Sequence, residues 1–246
     1  MTRVFVRLLA LCLAATSAGA SAQSMDEIIV TAAKRDESAR LPGAYLRRTG
    51  DFMLLEVTVT NDTREFAARK REIYDTLKAM LAAANRDGGI ELSVIDENDL
   101  VLPLRVDDAT VSLAPDSRPD TSRTSINVKT RIPASGANSL ALIAKLKQFV
   151  ASIKPSGRTQ LLSAGSVEIS IVNPLQYREQ VIELFATDAA RVTKSLGEDY
   201  RVIVRGIDQP IRWIRMGVLD LALFVPYQYD VIPATVNSYS VISADD

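Results

Sequence analysis

The chain has 246 residues, with 29 basic and 30 acidic side chains, one cysteine, no histidine and a formal net charge of −1. Such a balance excludes the clustered excess of Lys and Arg that marks a nucleic-acid interface. With no histidine and a single cysteine at Cys12, the chain also excludes Ser–His and Cys–His nucleophile pairs, His-ligated zinc and dithiol redox centres.

Residues 1–22 have the three parts of a secretory signal. Arg3 and Arg7 make a basic start, residues 8–15 are apolar, and Ala20-Ser21-Ala22 is a small-residue cleavage pattern. The apolar stretch is too short to span a bilayer, which takes about 20 residues. Cys12 follows Leu11, where lipid attachment wants a small residue, and is read as part of the leader. Cleavage near Ala22 predicts an exported, periplasmic chain with no transmembrane segment. It would have 224 residues and, having lost Arg3 and Arg7, a net charge of −3.

Residues 26–38 (DEIIVTAAKRDES) come next, apolar and β-prone in the middle and charged at both ends. Residues 39–50, with Pro42 and Gly43, read as a polar connector. The domain plan is thus 1–22 leader, 23–50 extended peptide and linker, and 51–246 folded domain. Residues 52–60 (FMLLEVTVT) predict a strand. Asp62, with Glu65 three positions on, predicts a capping box opening a helix. That helix carries Phe66, Ile73, Leu77, Met80, Leu81 and Ala84 on one stripe, and residues 85–89 (NRDGG) stop it.

Residues 90–95 and 100–104 predict a strand pair around an acidic turn at Asp96. Asp96 and Asn98 resemble the start of a calcium loop, but Leu100 and Val101 occupy positions that need a ligand and a glycine, so a hairpin turn is expected. Residues 105–122 read as a loop in which Asp107 and Asp108 are solvated. Residues 124–132 alternate as a half-buried strand. A second helix carries Leu142, Ile143, Leu146, Phe149, Val150 and Ile153, ended by residues 154–157 (KPSG). Residues 167–172 predict a strand. Asn173 and Pro174 predict the cap and first turn of a third helix, with Val181, Phe185, Val192 and Leu196 on its stripe and Gly197 after it. Residues 200–205, 211–216 and 221–231 predict closing strands. The plan is α+β: mixed or antiparallel sheets covered by amphipathic helices, built from repeated strand–helix–strand units.

Lys70 and Asp188 fall inside apolar stripes. Lys70 is expected to run its stem along apolar surface and expose its head. Asp188 needs a backbone donor, a cation or a wet edge, and would pair with Lys70 if both helices packed on one sheet face. Arg212, Trp213 and Arg215 in residues 211–216 (IRWIRM) mark a candidate self-association face, extended by Phe224, Tyr227 and Tyr229. The alternative is a tryptophan at the rim covering the core.

The order of elements resembles the SIMPL-domain family of exported bacterial proteins. The likeness lies in residues 137–234, with the ANSLALIAKLKQFVAS and NPLQYREQVIELFATDAARVTKSLG segments and the YQYDVIPA finish, and in VTVTNDTREFAARKREIYDTLKAMLAA near the front. It rests on pattern rather than on a signature motif. The resemblance implies an envelope location, oligomer formation and no catalytic residues. The opening peptide is similar to the box that begins TonB-dependent outer-membrane receptors. The similarity is carried by Asp26, Glu27, Ile28, Ile29, Val30, Thr31, Lys34, Arg35 and Leu41-Pro42. A whole receptor is excluded, since its barrel needs many strands of about 9–11 residues. The resemblance implies that Asp26 to Thr31 dock on TonB or a TonB-like periplasmic protein by strand addition. The bland reading is that the segment pairs with the chain's own sheet and hides a sticky edge. The expected function is an exported envelope binding protein, not an enzyme, without cofactor or metal. The alternative is an accessory of a TonB-dependent transport system that lacks a barrel. An unrecognised carboxylate-dependent enzyme is a third reading.

Overall fold

The computed structural model describes residues 27–30, 41–96, 100–134 and 136–236. Its thirteen strands among those residues are β1 Glu27–Val30, β2 Leu46–Thr49, β3 Phe52–Asn61, β4 Glu91–Ile95, β5 Val101–Pro103, β6 Ala114–Pro115, β7 Ser122–Arg131, β8 Gln160–Ser163, β9 Glu168–Val172, β10 Tyr200–Arg205, β11 Arg212–Arg215, β12 Asp220–Phe224 and β13 Gln228–Pro233. The helices are α1 Phe66–Asp87, α2 Ser139–Ser152 and α3 Arg178–Leu196, the last preceded by a 3₁₀ turn at Pro174–Tyr177. Every strand pairing among the described residues is antiparallel. The class is α+β, as the composition of elements predicts.

The main sheet grows from β3, which pairs with β7 along its whole length, from Phe52 opposite Arg131 to Asn61 opposite Ser122. Its eight strands run in the order β1-β9-β3-β7-β4-β5, with β6 beside β7 and β8 beside the far end of β3. Because side chains alternate across a strand, this register puts Met53, Leu55, Val57 and Val59 on one face with Ile126, Val128, Ile169, Ile171 and Val30. All of them are buried in one apolar cluster. Helices α1 and α2 lie on that face. α1 contributes Ile73, Leu77, Met80 and Ala84, and α2 contributes Leu146, Phe149 and Val150. A three-stranded sheet, β11-β12-β2, adds Leu221 and Leu223 to the same cluster, while β10 and β13 form a separate pair.

Several local expectations change. The capping residue of α1 is Glu65, whose carboxylate accepts from the N–H groups of Ala67 and Ala68 at 2.9 and 2.5 Å. Asp62 instead accepts from Arg158 at 2.7 Å. The helix therefore starts later than a box at Asp62 implies, and Phe66, expected on the buried stripe, is 55% exposed. Asn173 makes no side-chain cap; it turns the chain through a left-handed φ of 48° into the 3₁₀ turn. Val181 and Phe185 of α3 are buried, but Leu196 is exposed, because the C-terminal half of the helix runs beyond the core. The third closing strand is broken at Pro226 into β12 and β13, since proline cannot donate to a ladder. The hairpin at Asp96 forms as read, with backbone and side-chain bonds to Leu100; residues 97–99 lie outside the described residues.

The largest correction concerns residues 23–50. β1 pairs with β9, and β2, inside the expected connector, pairs with β12 from Leu46 opposite Leu223 to Thr49 opposite Asp220. Both segments are therefore parts of the folded sheets, and the boundary placed at residue 51 does not separate a domain from an appendage. Apolar alternation at Ile28 and Val30 and a match to the β12 edge outweigh the Pro and Gly that made the stretch read as a linker. No helix among the described residues is long and apolar enough to cross a membrane.

Gly206 marks a tight approach in the C-terminal pair. Its φ is +90°, and a Cβ there would stand 2.5 Å from the Pro226 carbonyl oxygen, a backbone atom with little room to shift. Gly206→Ala is expected to lower stability by more than about 1 kcal/mol, read as a fall in the urea midpoint without a change in slope.

Candidate functional site

The residues singled out at the start of the chain are four in-register partners of β9: Glu27 faces Val172, Ile28 Ile171, Ile29 Ser170 and Val30 Ile169. Asp26 and Thr31, the other two members of the expected docking segment, lie outside the described residues. Ile28 packs against the main cluster and Val30 is 3% exposed within it. The opposite face of β1 carries Glu27 and Ile29. The segment is thus the bland alternative realised: it covers the edge of β9 and is not a free peptide.

Glu27 is the chemically unusual member. A carboxylate almost never sits fully buried without partners. Here one oxygen accepts from Lys129 Nζ at 2.7 Å and the other from Ser170 Oγ at 2.5 Å. The two charged side chains are 8% and 9% exposed, and Ser170 is fully buried. Lys129 comes from β7, two strands beyond β9, and reaches Glu27 across the ring of Phe52, with Nζ 4.3 Å from the ring centroid. The register explains the geometry: Glu27, Ser170, Phe52 and Lys129 all fall on the face away from the helices. Lys129 Nζ also stands 3.7 Å from Glu91 on β4. The result is a line of alternating charge from β1 to β4, whose buried link is the one to the opening strand. Periodicity placed Lys129 at the polar face of its strand; its partner, 102 residues earlier, carries no local signal.

Asp188 on α3 finds partners other than Lys70. It accepts from the hydroxyls of Tyr227 and Tyr229 at 2.9 and 2.7 Å and from Arg191 at 2.6 Å. The Tyr229 hydroxyl first, then Arg191 and Tyr227, hold its carboxyl below the usual range. Burial first, and then the bond to Asp188, push both tyrosine hydroxyls up. Tyr227 also accepts from the Ala44 N–H at 2.9 Å, which ties the segment before β2 to the C-terminal strands. Lys70 pairs with Asp108 at 2.6 Å, where Tyr74 donates to the other oxygen at 2.6 Å. The two helices present these residues to different neighbours, so a Lys70–Asp188 pair does not form. Asp108, expected as a solvated turn residue, is exposed yet held below its usual carboxyl range by the Lys70 ammonium and the Tyr74 hydroxyl.

The expected self-association face is divided. In β11, Trp213 and Arg215 share the side of the buried Leu221 and Leu223, whereas Arg212 points the other way with Phe224 and Ala222. Arg215 is engaged internally: its guanidinium donates to the carbonyls of Val167 at 2.8 Å, Gly217 at 2.9 Å and Val218 at 3.1 Å. Trp213 is 37% exposed and lies opposite Leu223 on β12. Phe224 is buried, and Tyr227 and Tyr229 turn to Asp188, so they do not extend an outer face. Among the described residues no three His, Cys, Asp or Glu side chains gather where a metal ion would sit.

Removing one partner of the Glu27–Lys129 pair leaves a buried charge alone. Lys129→Met is expected to destabilise the protein by about 3 kcal/mol or more, and Glu27→Leu combined with Lys129→Met to recover most of it; denaturant titration of the three chains checks the sign of the coupling. Asp188 has a folded pKa below its unfolded value, so its contribution is complete above about pH 4 and is lost as pH falls through the folded value. Asp188→Asn is therefore expected to lower Tm at pH 7, with the difference from the parent chain shrinking as pH drops below about 4. Compared with models of known families, with characterised proteins and with solved structures, the chain matches none.

Proposed function

We propose that this chain is an exported envelope protein of the SIMPL-like kind that acts by binding. In this reading its TonB-box-like opening strand is a docking edge for TonB or a TonB-like periplasmic protein. The observation that carries the reading is the place of β1. It is the terminal strand of the eight-stranded sheet, with β9 as its one ladder partner among the described residues. A strand with one ladder partner keeps alternate N–H and C=O groups on its outer edge, and an incoming strand adds there through main-chain bonds. Docking therefore takes a different form from capture of a loose peptide: the segment stays in its own sheet and the partner's strand lies outside it. The buried Glu27–Lys129 contact supports this form, because an edge already ordered loses less entropy when a partner binds.

The absence of histidine and the confinement of cysteine to residue 12 favour binding over catalysis. The leader-like residues 1–22 favour export to the periplasm. The same reading takes β3–α1–β4 and β7–α2–β8 as repeats of one strand–helix–strand unit.

Capture of the full chain by an immobilised TonB C-terminal domain tests the reading. The parent chain is expected to bind, and Lys129→Met, whose opening strand has lost its anchor, to bind at least about tenfold more weakly. Stronger capture of Lys129→Met would identify a released strand as the docking element and overturn the edge reading. Capture of neither chain would remove TonB as the partner.

A further inference from the structure

The contacts that hold β1 make a complete recognition site for a short strand. β9 supplies the ladder from Ile169 to Val172. Lys129 and Ser170 read a carboxylate at the first position, with 2.7 and 2.5 Å contacts to its two oxygens. The apolar cluster takes the aliphatic side chains at the second and fourth positions, Ile28 and Val30. A one-residue slip would put Glu27 into that cluster and an isoleucine against Lys129, so the site selects register as well as composition.

None of these contacts requires the strand to come from the same molecule. Residues 31–40 connect it to the rest of the chain, and ten residues reach up to about 33–36 Å when extended. A vacated site would take from Lys129 its nearer carboxylate, leaving Glu91 at 3.7 Å, and would uncover the apolar cluster beneath Ile28 and Val30. The site is therefore refilled by whichever matching strand is at hand. In a pair of copies that exchange opening strands, both sites are filled and every contact is reproduced, so the exchange closes with two-fold symmetry and loses nothing in the sheet.

We propose that the β9 edge, with Lys129 and Ser170, is a strand-binding site that takes the Glu27–Val30 segment of a second copy of this chain. The protein thereby forms strand-exchanged dimers. The exchange leaves the outer edge of the opening strand as it was, so it stands apart from any docking of TonB.

The test is a charge swap. Glu27→Lys places two ammonium groups in its own site and in any pairing with itself, and Lys129→Glu places two carboxylates there. In an equimolar mixture of the two full-length variants, opposite charges meet only between chains. Light scattering and native mass spectrometry are expected to show each variant alone as a monomer. They are expected to show the mixture as a 1:1 dimer of doubled mass, and the double variant Glu27→Lys/Lys129→Glu behaving as the parent chain does. If the charge variants do not fold, cysteine pairing replaces them. Ile28→Cys and Ile171→Cys, on separate chains in a Cys12→Ser background, are expected to form a disulfide between chains on mixing. Ile28→Cys and Ile171→Cys on one chain report the register within a molecule. A mixture that yields no dimer, while the single-chain disulfide forms, overturns the proposal. So does a mixture that yields no dimer while the chain still binds a synthetic DEIIVTAAKRDES peptide, which would assign the site to a separate polypeptide.

Discussion

Two opposite charges taken out of water hold the opening strand of this protein in place. Glu27 and Lys129 lie 2.7 Å apart, both nearly excluded from solvent. Neither ion is stable there alone, since a buried charge without a partner costs far more than a surface pair returns. The strand that carries Glu27 must therefore lie where Lys129 reaches, and β9 must stand between β1 and β3 for that reach to cross Phe52. That contact, with the burial of Ile28 and Val30 on the other face, matches the register of the first ladder.

The second consequence is that the front of the chain is integral to the fold. β1 closes one edge of the large sheet, and β2 joins the three-stranded sheet through β12. The ion pair on β2 adds little to that hold: Arg47 meets Asp220 at an exposed site, where such pairs contribute weakly. The firmer tie is Asp188, which gathers Tyr227 and Tyr229, with Tyr227 in turn accepting from the N–H of Ala44, 183 residues away in sequence. Gly43 is small for a matching reason, since a Cβ there would stand 3.3 Å from both the Asp188 carboxylate and the Tyr227 hydroxyl. The segment that reads as a connector, residues 39–50, is thus pinned at Ala44 and at β2.

These constraints bear on how the acidic and apolar opening segment behaves on an α+β body. Its acid and its alternate aliphatics, the same features that suit strand addition to a partner, first satisfy the chain's own edge. A sticky strand is hidden on one side and ordered on the other. The sheet therefore ends on this side in a strand ordered by backbone pairing and by one buried carboxylate.

The positions of the helices and of most strands were legible in the chain itself, because periods of two and of 3.6 are local properties that burial then rewards. Ile73, Leu77 and Met80 on one helix, and the alternation from Ile126 to Ile132, announced their faces without help. The missing histidine and the balance of charge likewise bounded the chemistry before any fold was known. What only the tertiary structure decided is which distant groups meet. Asp62 lost its role as a cap because Arg158, 96 residues on, claims it. Asp188 chose two tyrosines over Lys70, and Glu27 chose Lys129. Pairing of buried polar groups is set by where strands and helices come to lie, and a sequence pattern with a reach of a few residues carries no record of a partner far along the chain.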